Sequence, residues 1–277
     1  MLIANMYKTI AVIGEGSYGV VYKAIRLSDN SVVAIKQMRI GESGMSASAV
    51  RELSLLRTIN HENIVKVLDV IVNDALYVIL EFCTADLRAF LKEKVLSRQM
   101  AIKMTHQLLL AVGYLHEKGI IHRDIKPHNI LITKKCEVKL CDFGLAKENA
   151  IPNRSQCNEV ITLWYRPPEL IFGQTKYGAE IDVWSVGCVI PELFGTIPLF
   201  AANSAKKITT LMNSAFPGEL EVFSGLPLFS VFDRDAYVKW DMPDFDEVAK
   251  ALVKKMVVVI PENRINMKTA LDDMLFK

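Results

Sequence analysis

The stretch that most restricts the fold is Gly14-Glu15-Gly16-Ser17-Tyr18-Gly19, followed at once by Val20-Val21-Tyr22-Lys23-Ala24. A G-x-G-x-x-G turn suits a dinucleotide-binding fold, a loop closing over phosphates, or a plain glycine-rich hairpin. The dinucleotide fold needs a helix directly after the glycines, so that its N-terminus meets the pyrophosphate. A β-branched run does not supply one. Tyr7 to Ile13 alternates loosely before the turn, so the spacing predicts a hairpin whose backbone amides face phosphates. Val33-Ala34-Ile35-Lys36 then sets one lysine on the next apolar strand. A lysine on a buried strand is costly unless paired, so it calls for a carboxylate or a phosphate.

Residues 46–57 have helical composition, with Val50, Leu53 and Leu56 at helical spacing, and Glu52 is the carboxylate expected to pair with Lys36. Ala75 to Phe82 is a continuous apolar run and reads as a buried strand. Cys83-Thr84-Ala85-Asp86 has no periodicity and reads as a crossing between two lobes. From 97 to 118 a helical pattern takes over and stops at Gly119. Residues from Asp142 to Glu169 lack periodicity and read as a surface loop. Residues 181–197 read as a buried helix containing Asp182 and Trp184, with Pro191 placed to kink it or end it early. Phe245 to Met256 is amphipathic. The expected architecture is therefore α+β and two-lobed: a strand-rich N-lobe (about 1–82), a hinge (83–86) and a helical C-lobe (87–277), forming one domain over 1–277.

His122-Arg123-Asp124-Ile125-Lys126-Pro127-His128-Asn129 is followed thirteen residues later by Asp142-Phe143-Gly144. Together these segments supply a carboxylate able to orient a hydroxyl, a lysine, and two oxygen ligands (Asn129, Asp142) suited to magnesium. That is the equipment for phosphoryl transfer.

Composition narrows the partners. The formal net charge is +2, which gives no nucleic-acid footprint, and Lys134-Lys135 and Lys206-Lys207 read as solvated surface. No run of about 18 apolar residues is present to span a bilayer, so no membrane partner is expected. The five cysteines (Cys83, Cys136, Cys141, Cys157, Cys188) form no C-x-x-C pair. With no signal peptide, they point to a reducing compartment, nucleus and/or cytoplasm.

On these motifs the chain resembles eukaryotic protein kinases along nearly its whole length, and within them the cyclin-dependent kinases. Ser46-Ala47-Ser48-Ala49-Val50-Arg51-Glu52 is similar to that family's cyclin-contact helix. Glu15 to Gly19 resembles its phosphate loop, with an inhibitory hydroxyl pair at Ser17 and Tyr18. Val160 to Arg166 resembles its segment for docking a proline after the target residue. The resemblance implies that Asp124 orients the substrate hydroxyl and takes its proton, and that Lys126 stabilises the transferring phosphate. It makes Asn129 and Asp142 the ligands of magnesium on ATP, and Lys36, paired to Glu52, the anchor of the α- and β-phosphates. Ile13, Gly14, Glu15, Gly16, Ser17, Tyr18, Gly19, Val20, Val21, Ala34, Asp86 and Leu131 line the nucleotide, and the backbone of Glu81 and Cys83 meets the adenine with Leu80 behind it. Ile161 and Arg166 hold the substrate proline, Asp182 ties down the catalytic loop, and Glu169 pairs with Arg264. The implied partners are a cyclin-like activating subunit on Ser46–Glu52 and proteins with Ser/Thr-Pro.

Departures bear on regulation. Cys157 stands where the family carries a phosphorylated threonine caught by three arginines; Arg51 and Arg123 match two of these, Lys147 stands at the third, and Ser155 is a hydroxyl two residues before Cys157. A thiol is only a weak donor. Pro168 gives Pro167-Pro168-Glu169 in what reads as a loop. Asn203 to Thr210 does not resemble the family's small-subunit docking segment. Two other readings are a pseudokinase scaffold and a mitogen-activated kinase relative; residues 155–159 lack the threonine-x-tyrosine pair of the latter.

Overall fold

A computed structural model describes residues 1–16, 19–38, 58–142, 163–231, 233 and 236–277. They form two compact units: Met1–Asp86 with Ile130–Leu145, and Leu87–Asn129 with Ala146–Lys277. The contiguous division expected around 83–86 differs in one respect. Ile130–Leu145 goes with the N-terminal unit, because its two strands pair there.

Unit 1 is built on a six-stranded antiparallel sheet in the order β1-β2-β3-β4-β6-β5. Its strands are β1 (Leu2–Ile3), β2 (Tyr7–Gly16), β3 (Gly19–Arg26), β4 (Val32–Met38), β5 (Val67–Val72) and β6 (Leu76–Glu81). The glycine turn is a hairpin, as its flanks require: β2 and β3 pair from Tyr7↔Arg26 to Gly16↔Gly19. Gly19 sits at φ +138°, and a Cβ there would stand 1.9 Å from the Gln37 carbonyl oxygen, so only glycine fits. Alternation along β4 sends Val33 and Ile35 into a core with Tyr7, Ala24, Tyr77 and Ile79. Met38 goes to the other face with Leu76 and Val78. Lys36 lies on that second face, opposite Val78.

A second sheet joins β7 (Ala85–Asp86), β8 (Ile130–Ile132) and β9 (Val138–Leu140). The stretch expected to cross without structure thus ends in a short strand. Residues 63–65 line the far side of β9: Leu140 N–H donates to Asn63 O at 2.8 Å and Val65 N–H to Leu140 O at 2.9 Å.

Unit 2 is helical: α1 (Leu87–Glu93), α2 (Arg98–Glu117), α3 (Pro168–Ile171), α4 (Glu180–Leu193), α5 (Ala205–Ala215), α6 (Glu247–Met256) and α7 (Met267–Leu271). Ser97 caps α2 by accepting from Met100 N–H, and Gly119 ends it at φ +70°, as the stop signal implied. Asp246 caps α6 in the same way through Ala249 N–H at 3.0 Å. All of α4 except Glu180 and Glu192 is buried, and it packs against α2 and α6. Pro191 lies in its last turn and the helix ends at Leu193, four residues short of the expected span, as a missing N–H dictates. Pro168 is not in a loop. It is the first residue of α3, where no N–H is needed and the fixed φ is already helical. Among the described residues no helix is long and apolar enough to cross a membrane.

Candidate active site

In unit 1 the sheet register carries Lys36 to Asp142: Nζ lies 3.5 Å from Oδ1, and the lysine side chain is 16% exposed. Asp142 is a non-glycine residue at φ +65°, a strained backbone. Ala34 is buried opposite Leu80. Glu81, Cys83, Asp86 and Leu131 are half-buried, and Ile13 and Glu15 are exposed. Gly14 pairs with Val21 and Glu15 with Val20 across the hairpin. The Glu81 carboxylate accepts from Lys66 N–H at 2.8 Å and meets Lys139 Nζ at 3.0 Å. Burial, reinforced by the Glu81 charge, pushes the Cys83 thiol up to about 12, which keeps it protonated and a poor nucleophile. Burial also raises Cys141, with Asp142 adding to the effect.

In unit 2 the loop after α2 presents Asp124. Asp124 Oδ2 accepts from Asn129 Nδ2 at 2.9 Å and meets Lys126 Nζ at 2.9 Å. The same Asn129 amide donates to the Asp124 carbonyl at 2.7 Å. Pro127–Asn129 forms a single 3₁₀ turn, which swings Asn129 back onto Asp124. Arg123 takes φ +74°, and the backbone is held there by Asp182. The two oxygens of that carboxylate accept from His122 N–H and Arg123 N–H, each at 2.8 Å. His116 Nε2 meets Asp182 at 3.0 Å. Burial would push the Asp182 carboxyl up, but the His116 hydrogen bond, the two imidazoles and the Arg123 amide outweigh it and hold the carboxyl low.

Asp124 and Arg166 line one cavity of this unit with Arg123, Tyr165 and Pro167. Tyr165 is fixed by its hydroxyl, which donates to Glu192 at 2.8 Å. Burial raises the Glu192 carboxyl to about 7, against the Tyr165 hydrogen bond and the Arg88 charge. Beneath this region Glu169 and Arg264 form a two-pronged pair at 2.6 and 2.9 Å. The remaining Arg264 donors go to the carbonyls of Val258, Glu180 and Val259, so all five guanidinium N–H groups are used.

The structure brings Asp124, Lys126 and Asn129 together within unit 2, and Lys36 and Asp142 together within unit 1. Ser17, Tyr18, the Ser46–Glu52 helix with Glu52, Ser155, Cys157 and Ile161 lie outside the described residues. Sequence reasoning missed Asp142 as a neighbour of Lys36, His116 as a partner of Asp182, and the Lys139–Glu81 pair. The His116 partnership has a faint signal, a histidine one helical turn before Gly119; the other two have none.

The donor chemistry fits a magnesium nucleotide. Lys36 beside Asp142 pairs a phosphate-seeking ammonium with a hard carboxylate oxygen. Among the described residues no group of three or more His, Cys, Asp and Glu could cage a metal. Magnesium does not need one, because it binds through one or two carboxylates plus phosphate and water oxygens.

The model of the protein kinase domain matches residues 7–276. The chain is 36% identical to Cyclin-dependent kinase 1 of Encephalitozoon cuniculi (strain GB-M1) over 296 aligned positions, covering 98% of this chain and 96% of that protein.

Proposed function

This chain belongs to the protein kinase family and is a serine/threonine kinase of the cyclin-dependent type; from that premise we propose that it phosphorylates Ser/Thr-Pro sites once a cyclin-like subunit has bound Ser46–Glu52. Protein kinases use ATP and magnesium. The proposal assigns magnesium to Asn129 and Asp142, the α- and β-phosphates to Lys36, and the adenine to the backbone of Glu81 and Cys83. Glu52 is assigned to Lys36, and the substrate proline to Ile161 and Arg166. The role belongs to cell-cycle or transcription control, in the nucleus and/or cytoplasm.

When bound, the magnesium nucleotide supplies the γ-phosphoryl group and neutralises part of its charge. The chain contributes position. Asp124 takes the proton of the substrate hydroxyl while that oxygen bonds to phosphorus and the bond to the leaving ADP oxygen breaks. Asn129 and Lys126 hold the Asp124 carboxylate, and Lys126 offers its ammonium to the transferring group. Little covalent chemistry is asked of the protein, so placement governs the rate.

The observation that carries this reading is the Asp124 carboxylate held at 2.9 Å by both Asn129 and Lys126. The test is transfer of labelled phosphate from magnesium-ATP to a Ser-Pro peptide, with and without a cyclin. Transfer only with cyclin, lost by orders of magnitude in Asp124→Asn, supports it. Nucleotide binding without transfer under any pairing overturns it in favour of a scaffold.

A further inference from the structure

We infer that the Lys139–Glu81 ion pair is a positioning device for the nucleotide site, fixing Asp142 relative to the end of β6. The inference rests on the kinase reading for what Asp142 and the Glu81–Cys83 backbone hold.

Asp142 is three residues beyond Lys139 and holds a left-handed φ of +65°. What precedes it is β9, only Val138–Leu140. β8 covers one edge, with Leu131 opposite Lys139. On the other edge, Leu140 exchanges backbone hydrogen bonds with Asn63 and Val65, and Asn63 Nδ2 donates to Val138 O at 3.1 Å. The next residue, Lys66, donates its N–H to Glu81 Oε1 at 2.8 Å and accepts from Glu81 N–H at 3.0 Å. Lys139 Nζ closes the ring on the same oxygen at 3.0 Å.

The result is a closed circuit: end of β6, Lys66, residues 63–65, β9, Lys139, and back to Glu81. The Glu81 carboxylate serves two of its links, and the Lys139 ammonium that closes it is mostly shielded, at 14% exposure against 25% for Glu81. Both charges lie close enough to Cys83 to shift its thiol in opposite senses, so the pair sits at the residues assigned to adenine. An exposed ion pair elsewhere would add stability and nothing more. This one spans the two backbone segments that the nucleotide has to meet at once.

Two variants remove one charge each. Lys139→Met keeps the length of the side chain. Glu81→Gln keeps an oxygen for Lys66 N–H. Three measurements apply: hydrogen exchange at the Asp142 amide in the nucleotide-free protein, direct binding of a fluorescent ADP with and without magnesium, and binding of adenosine. The expected result is faster exchange at Asp142 and a roughly tenfold weaker magnesium-ADP complex in both variants. Adenosine binding should change less than threefold, and the KM for peptide should stay constant. Lys139→Arg should recover most of the loss, and the double variant should be no worse than either single one.

Unchanged exchange and unchanged magnesium-ADP binding would overturn the inference. So would equal losses for adenosine and magnesium-ADP, since those describe general loosening of unit 1. If the unmodified protein bound no magnesium nucleotide, the kinase reading would fall, and exchange at Asp142 would still decide whether the pair holds that residue.

Discussion

The Glu192 carboxyl accepts the Tyr165 hydroxyl from inside unit 2 and titrates near 7 rather than at its ordinary 4.5. Burial is the cause, so the folded state favours the protonated form. Its contribution to stability is complete below pH 4.5, falls as pH rises through the window to 7, and is gone above it, by at most about 1.4 kcal/mol per pH unit. Glu192→Gln keeps an acceptor for Tyr165 and cannot ionise. Thermal melts should therefore show the variant gaining on the wild type between about pH 4.5 and 7, holding that gain above pH 7 and matching the wild type near pH 4; parallel pH profiles would refute this. Cys83 makes a second case at this scale. With its thiol raised to about 12, labelling by iodoacetamide at pH 7.5 should be far slower than for a free thiol, as mass spectrometry can measure.

At the level of elements, α4 carries both structure and chemistry. Its first turn holds Asp182, whose carboxylate accepts from the His122 and Arg123 backbone N–H groups of the loop that bears Asp124. Asp182→Ala strips both, at about 1–3 kcal/mol for each buried donor left unpaired. It should lower kcat far more than the KM for ATP, because it frees the segment bearing Asp124. Further along, Gly187 faces α6 so closely that a Cβ would come within 2.7 Å of Val257 and 2.9 Å of Met256. Gly187→Ala should cost about 1–3 kcal/mol in urea unfolding. Had α4 been a loosely packed surface helix, the same change would have stabilised it.

Elements with a strong period were legible from sequence. The hairpin around Gly14–Gly19, β6, α2 with its Ser97 and Gly119 ends, and α6 all follow from alternation, helical spacing and end signals. Lys36 announced its need for a counter-charge because a lysine on an apolar strand is costly. What sequence could not announce is pairing across distance. Lys139 and Glu81 are ordinary charged residues on unremarkable strands, and it takes the folded backbone, with residues 63–66 on one edge of β9 and β7–β8 on the other, to bring them together. Cys83–Asp86 looked structureless because a two-residue strand is too short to show a period. Pro168 looked like loop material because proline marks a loop and the first turn of a helix equally well.

For the whole molecule, the consequence of how the units divide is that residue 86 is not a boundary at which the chain can be cut. A fragment 1–86 lacks β8 and β9. It leaves Asn63, Ile64 and Val65 without the strand they bond to, and Ala85–Asp86 without a partner. Such a fragment should show no cooperative thermal transition by circular dichroism, and a sharp transition would contradict the division.

The same division sets a schedule for biosynthesis. When Asp86 leaves the ribosome, unit 1 still lacks Ile130–Leu145, and about sixty more residues must be made first. At roughly 5–20 residues per second, the half-finished sheet waits about 3–12 s with the 63–66 edge uncovered. During that interval α1 and α2 emerge and can form locally, since helices need only near neighbours. The first unit in sequence can therefore be completed only after the first two helices of the second have been made, and until then the edge at residues 63–66 has no strand to bond to.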